Sequence, residues 1–134
     1  KCKDSIGVRI VCNFIDDIDH CLTLLHKADW CSIVQEKDYI TNAKPNGYRS
    51  YHVILDVTTP YRDITGQVPG HYFAEIQLRT IAMDSWASLE HEMKYKHNIQ
   101  NAARIGKELK RCADQLASCD VQVQTIRQLI NENN

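Results

Sequence analysis

The sequence predicts an α+β fold: a mixed β-sheet flanked by helices, with a long C-terminal helix. Three observations predict it. Segments rich in β-branched or alternating apolar residues recur at 6–13, 31–40, 50–58 and 71–79. Apolar residues at helical spacing follow the first and the last of these segments. A stripe of small and medium apolar residues, stepping by threes and fours, then runs through 100–131. The order β-α-β-β-β-α-α implies a mixed sheet with helices packed on it.

Each element has its own justification. The first strand, Ile-Gly-Val-Arg-Ile-Val-Cys-Asn at 6–13, has the stiff side chains of a core strand. Ile15, Ile18, Leu22 and Leu25 then mark one face of a helix over 15–28. Asp16, Asp17 and Asp19 lie near its start, where the helix dipole favours acids. The second strand, 31–40, interleaves Ile33, Glu36 and Tyr39 with polar positions. Asn42-Ala43-Lys44-Pro45-Asn46-Gly47 is a turn cluster, combining a proline of fixed φ with a permissive glycine. Strand 50–58 alternates Tyr51, Val53, Leu55 and Val57 against His52, Ile54 and Asp56. A loop over 59–70 carries Pro60, Gly66, Pro69 and Gly70. In strand 71–79, Tyr72, Ala74, Ile76 and Leu78 take one face, and His71, Phe73, Glu75, Gln77 and Arg79 the other. Met83, Trp86, Leu89 and Met93 define a helix over 80–97. The last helix has its seam at Ala102, Ile105, Leu109, Cys112, Leu116, Cys119, Val123, Ile126 and Ile130. Residues 1–98 are read as the core of the domain and 99–134 as a helix for packing or oligomerisation.

With 134 residues the chain has room for one hydrophobic core. A formal net charge of −1 provides no global basic field, so nucleic acid is not an expected partner, and any phosphate recognition must be local. No apolar run approaches the roughly 18 residues that span a bilayer. Six cysteines without a Cys-x-x-Cys pair read as buried free thiols in a reducing cytoplasm. The chain runs from Lys1-Cys2-Lys3-Asp4 almost directly into a strand, so further residues are expected upstream in the natural protein.

Three segments concentrate unusual polar chemistry. Asp4-Ser5-Ile6-Gly7-Val8-Arg9 sets an acid at the head of a strand and an arginine within it. Lys37-Asp38-Tyr39 and Lys44-Pro45-Asn46-Gly47-Tyr48-Arg49-Ser50-Tyr51-His52 bring cations, an amide, aromatics and a histidine into a tight loop. Lysine and arginine pair with phosphate. A tyrosine face stacks on a base for about 1–3 kcal/mol, and an asparagine both donates to and accepts from a base edge. In the third segment, Glu75, Gln77 and Arg79 share one strand face, a row suited to a phosphate-handling cleft with a metal ion. His91-Glu92-Met93-Lys94-Tyr95 lacks the second histidine of the H-E-x-x-H zinc motif, and no Walker-type phosphate loop occurs.

Together these segments resemble the synthetase domain of the RelA/SpoT family. The resemblance runs through Asp4-x-x-Gly7-x-Arg9, Lys37-Asp38-Tyr39-Ile40, Lys44-Pro45-Asn46-Gly47-Tyr48-Arg49-Ser50-x-His52 and Glu75-Ile76-Gln77-Leu78-Arg79-Thr80. It continues through Met83-Asp84-x-Trp86-Ala87-Ser88-Leu89-Glu90-His91 and Lys94-Tyr95-Lys96, in a form similar to the small, single-domain alarmone synthetases. It implies a nucleotidyltransferase-like fold and Mg2+-dependent transfer of pyrophosphate from ATP to the 3′-hydroxyl of GTP or GDP. The products would be AMP and (p)ppGpp. Carried over by position, Asp4 and Glu75 would be the catalytic and metal-binding carboxylates. Tyr48 would stack on guanine, with Lys37, Lys44, Asn46, His52 and Gln77 completing the guanine-nucleotide site. Arg9 and Arg79 would serve ATP. The resemblance also implies a homo-oligomer, formed here through the C-terminal helix. In the family, further residues that grip ATP precede the Asp4 segment. This chain is therefore expected to retain the GTP/GDP side and to lack much of the ATP side. Two rival readings are a guanine-nucleotide sensor without turnover and a toxin-like relative that transfers pyrophosphate to tRNA.

Overall fold

The computed structural model describes residues 5–61, 66–96 and 101–133. The elements are β1 (Ser5–Cys12), α1 (Ile15–Lys27), β2 (Cys31–Asp38), β3 (Tyr51–Thr59), β4 (Gly70–Thr80), α2 (Ile81–Lys96) and α3 (Ala102–Glu132). The expected α+β order is present, with small shifts at the element ends. The sheet order is β1-β4-β3-β2. β1 pairs parallel with β4, and the other two pairings are antiparallel. The sheet is therefore mixed, as the sequence predicts.

The alternation of β3 and β4 decides where the core sits. Val53, Leu55, Ile76 and Leu78 pack with Cys12, Met83 and Ile18 of α1, and Cys21, Leu22 and Leu25 complete the apolar stripe of that helix. Leu55 and Leu78 are fully buried, and each such side chain contributes about 1.5–3 kcal/mol relative to exposure. The residues of opposite parity face away from this core. The register places Arg9 beside Gln77, Gln77 beside His52, and His52 beside Lys37. One row of polar side chains thus crosses all four strands. In β2 the spacing of Ile33 and Glu36 reflects a bulge: Ile33 pairs with Leu55, Gln35 with Ile54 and Glu36 with Val53. Val34 is the extra residue and is 57% exposed.

Three sequence expectations are corrected here. The first strand, read as a core strand, forms an edge of the sheet, with Ile6, Val8 and Val11 exposed. The inward face of α3 is not the seam predicted from apolar residues alone. Ile105 and Leu109 do pack inward, but Ala113 and Asp120 are buried where Cys112 and Cys119 were expected. Small Ala113 allows a close approach to the loop before β3. Asp120 accepts a 2.6 Å hydrogen bond from the Thr80 hydroxyl, and Thr80 in turn accepts from Met83 N at 3.2 Å in the first turn of α2. The inward face of α3 thus includes this polar pairing, and Ile126 and Ile130 of the apolar stripe are more than half exposed. The cysteines follow: Cys12 is buried, Cys21 and Cys31 are half-buried, Cys112 and Cys119 are exposed, and Cys2 lies outside the described residues. Burial, with Cys21 next to it, pushes the Cys12 thiol up to about 11, so it stays protonated at neutral pH.

Burial also raises the Asp120 carboxyl, against the smaller, opposing effect of the Thr80 hydrogen bond. Its folded value therefore lies above the unfolded one. The fold is penalised once pH exceeds the unfolded value near 3.8 and the buried group must ionise. Asp120→Asn is accordingly expected to raise Tm at pH 7, with the gain vanishing below about pH 4; calorimetric scans at the two pH values check this.

Candidate functional site

The site is built where the loop between β2 and β3 folds over the end of the polar row. Asp38 starts the loop: its Oδ1 accepts from Ile40 N and Thr41 N, both at 2.9 Å. Burial alone would push Asp38 up, but the Thr41 and Ile40 hydrogen bonds outweigh it and hold the carboxyl below its ordinary value. Lys44 O then accepts from Gly47 N at 2.8 Å, and Asn46 Oδ1 accepts from Tyr48 N at 3.0 Å. Gly47 has φ +102°, and a Cβ there would lie 2.7 Å from Ala113 Cβ, so both backbone and packing require glycine. Buried Ser50 donates to Leu78 O at 3.4 Å, fastening the loop exit to β4. These contacts aim Tyr48 at the row.

Around Tyr48 the polar groups form a continuous network. Arg79 Nη2 donates to Tyr48 OH at 2.8 Å and to Gln77 Oε1 at 3.1 Å. Arg79 Nη1 donates to Asp84 Oδ1 at 3.0 Å, and Arg9 Nε lies 3.4 Å from the same oxygen. Tyr48 OH is 3.0 Å from His52 Nε2, and His52 Nδ1 is 3.7 Å from Glu75 Oε2. Because the Tyr48 oxygen accepts from Arg79, its proton turns to His52 Nε2. The imidazole proton then belongs on Nδ1, facing Glu75. Burial lowers the His52 value; Glu75 opposes the shift, while Arg79, Lys44 and Lys37 reinforce it. His52 is consequently neutral at pH 7. Lys44 Nζ lies 4.8 Å from the Tyr39 ring centroid and 5.3 Å from that of Tyr48, within cation–π range.

A cavity of about 430 Å³ adjoins this network, lined by Arg9, Tyr48, Arg79, Ala87, Ser88, Glu90 and His91. That volume suits a nucleotide-sized ligand. Arg79 is 7% exposed, and its Nε is buried without a hydrogen-bond partner among the described residues. Arg79 itself lines the cavity, while its guanidinium is otherwise held by Asp84, Tyr48 and Gln77.

The sequence-predicted residues fall into distinct places. Tyr48, His52, Glu75, Gln77 and Arg79 come together at the row, with Arg9 and Lys44 at its margins. Lys37 is exposed on the edge strand, opposite His52. Asn46 shapes the loop through its side-chain carbonyl oxygen. Asp4 lies outside the described residues. Two residues given no role in the sequence reading prove central. Asp84 joins the arginines of β1 and β4 to α2, and Tyr39 packs edge-on against both Tyr48 and His52. Asp84 stands in the first turn of α2, and its place in the Met83-Asp84-x-Trp86 motif was its sequence signal.

The described residues contain no cluster of three or more His, Cys, Asp or Glu side chains able to hold a metal ion by themselves. None of their helices is long and apolar enough to cross a membrane.

Known proteins resemble this one in both sequence and structure. Residues 1–100 match the family described as a region found in RelA / SpoT proteins. The chain is 46% identical over 111 residues to the GTP pyrophosphokinase YwaC of Bacillus subtilis (strain 168), covering 83% of this chain and 51% of YwaC. It is 34% identical over 130 residues to GTP pyrophosphokinase YjbM of the same organism, covering 97% of this chain and 60% of YjbM. The chain thus spans between half and two thirds of the length of these relatives. Small alarmone synthetase 2 from Bacillus subtilis superposes with a TM-score of 0.82 at 41% identity, over 91% of this chain and 64% of that one. Small alarmone synthetase 1, bound to its product pppGpp, superposes at 0.79 with 32% identity, over 92% of this chain and 60% of that one.

The lowered His52 value has a stability consequence. Below about pH 6.5 the unfolded chain takes up a proton that the folded chain resists, so stability falls as pH drops through that value. His52→Gln, which cannot titrate, is expected to flatten the stability slope between pH 7 and pH 5.5; urea midpoints across that range check it.

Proposed function

This chain belongs to the RelA/SpoT family, and from that premise we propose that it forms the guanine-nucleotide side of a GTP pyrophosphokinase. The reaction is transfer of the β,γ-pyrophosphoryl group of ATP to the ribose 3′-hydroxyl of GTP or GDP, releasing AMP. The observation that carries the reading is the row Arg9–Gln77–His52–Lys37, with Glu75 one position along it and Tyr48 folded over its end beside the cavity.

In this reading the guanine stacks on Tyr48, displacing Lys44 from the ring toward a phosphate. The phosphates lie against Arg79 and Arg9, and Arg79 Nε gains the acceptor it lacks. Glu75, 46% exposed in its side chain, accepts the proton of the 3′-hydroxyl as the oxygen attacks the β-phosphorus and the bond to the α-phosphate oxygen breaks. Neutral His52 stands beside Glu75, its Nδ1 3.7 Å from the carboxylate, without forming a full ion pair. Such transfer requires alignment and charge neutralisation more than covalent help from the protein.

Glu75 fits a magnesium ion, which takes hard oxygen ligands, often one or two carboxylates with substrate phosphates. Asp4 is the second candidate carboxylate. When bound there, Mg2+ would supply charge neutralisation on the phosphates.

The exposed apolar side chains along the outer face of α3, Ile126 and Ile130 among them, support self-association. Leu116 packs within the chain against the cluster of Trp86, Leu109 and Ala113, so it is not the residue to probe.

Three outcomes follow. Tyr48→Ala weakens GDP binding by about 1–3 kcal/mol in titration calorimetry; unchanged affinity removes the stacking role. In the full-length protein, Glu75→Gln keeps GDP affinity while product formation drops by a factor of about 10²–10⁴, and turnover at the wild-type rate would remove Glu75 as the base. Ile126→Glu lowers the sedimenting mass of a still-folded protein if the outer face of α3 is the interface, and an unchanged mass excludes it.

A further inference from the structure

The helix α3 lies beyond residues 1–100 that match the family, yet it holds the nucleotide loop at several points. Arg49, next to Tyr48 in sequence, turns away from the site. Its Nη1 donates to Ala113 O at 3.1 Å and its Nη2 to Asp114 Oδ1 at 3.3 Å. Lys110 Nζ secures that carboxylate with hydrogen bonds of 2.8 Å to both oxygens. Its hydrogen bond, ahead of the smaller effect of Arg49, holds Asp114 below its ordinary value, so the carboxylate is ionised near neutral pH. Gly47, on the other side of Tyr48, sits on Ala113 so closely that a Cβ would stand 2.7 Å from it. The tyrosine is therefore flanked by two residues that both rest on one turn of α3. The same helix accepts from Trp86 Nε1 at Leu109 O, at 2.7 Å, and from Thr80 at Asp120. It thus also fixes α2, which carries Asp84, and the end of β4, which carries Arg79.

We propose that α3 is the brace that sets guanine-nucleotide affinity, with Arg49 and Asp114 as positioning residues that hold Tyr48 in its stacking orientation. Neither residue touches the nucleotide. Their contribution is to remove the ordering cost that a mobile loop would impose on binding. Arg49 suits the task because its planar fork reaches a main-chain carbonyl and a carboxylate at once. Lysine offers a single ammonium and no such fork. The affinity part of this proposal rests on the guanine-nucleotide reading above; the bracing part does not.

The test uses this chain with GDP as the probe and measures two quantities: amide exchange over residues 44–50 without nucleotide, and GDP affinity. Arg49→Ala is expected to speed exchange in that segment and to weaken GDP binding about tenfold, with Trp86 emission showing α3 still docked on α2. Asp114→Ala should move both quantities in the same direction by less. The double variant should be no worse than Arg49→Ala, because the two residues act through one contact. Arg49→Lys should recover part of the affinity. Unchanged exchange in Arg49→Ala overturns the brace, and faster exchange with wild-type GDP affinity overturns the positioning role. A wild-type chain that fails to bind GDP overturns the nucleotide reading and the affinity claim, while the exchange data still decide the brace.

Discussion

The buried guanidinium of Arg79 is the constraint on which the site depends. A cation removed from water must be met by acceptors, because an unpaired buried charge costs several kcal/mol. Asp84, Tyr48 OH and Gln77 Oε1 meet it within 3.1 Å. Those partners come from α2, the β2–β3 loop and β4 itself, so neutralising one side chain fixes three parts of the chain relative to one another. Its Nε is left without an acceptor among the described residues, and Arg79 lines the cavity. The groups that stabilise the fold here are thus the same ones that border the cavity.

Beside that centre the electrostatics hold His52 in its neutral form. His52 stays neutral because burial and the cations Arg79, Lys44 and Lys37 oppose its charging more strongly than Glu75 favours it. Its hydrogen bond then has a direction, from Tyr48 OH into Nε2, while Nδ1 faces Glu75 at 3.7 Å. A charged imidazole would donate from both nitrogens and disturb the Tyr48 contact. Such prearranged dipoles require no reorganisation when a substrate arrives.

Much of this was legible in the sequence, for a physical reason. Alternation along β4 is a local property, so the shared face of Glu75, Gln77 and Arg79 could be read directly. The loop carrying Tyr48 announced itself through Pro45 and Gly47. What was not legible depends on contacts between distant segments. The inward face of α3 includes Asp120 meeting Thr80, forty residues earlier in the chain, and a pattern of apolar residues carries no trace of that pairing. The bulge at Val34 is a matter of register, invisible until the partner strand is known. Asp84 and Arg49 stand in the motifs read from the sequence, but their partners, Arg79 and Arg9 for one and the Ala113 turn for the other, show only in the fold. Residues whose partners are local were predicted; those whose partners are remote were not.

The central claim is that a purine base lies on the Tyr48 ring beside the Arg79 network. The most direct measurement is the set of nuclear Overhauser contacts between GDP and this chain in solution. The account predicts contacts from guanine H8 to the Tyr48 ring protons and to the Ala87 methyl, with the Arg79 Nε proton shifting on binding. Bound GDP whose base protons contact another surface, with the Tyr48 and Arg79 resonances unmoved, would contradict it.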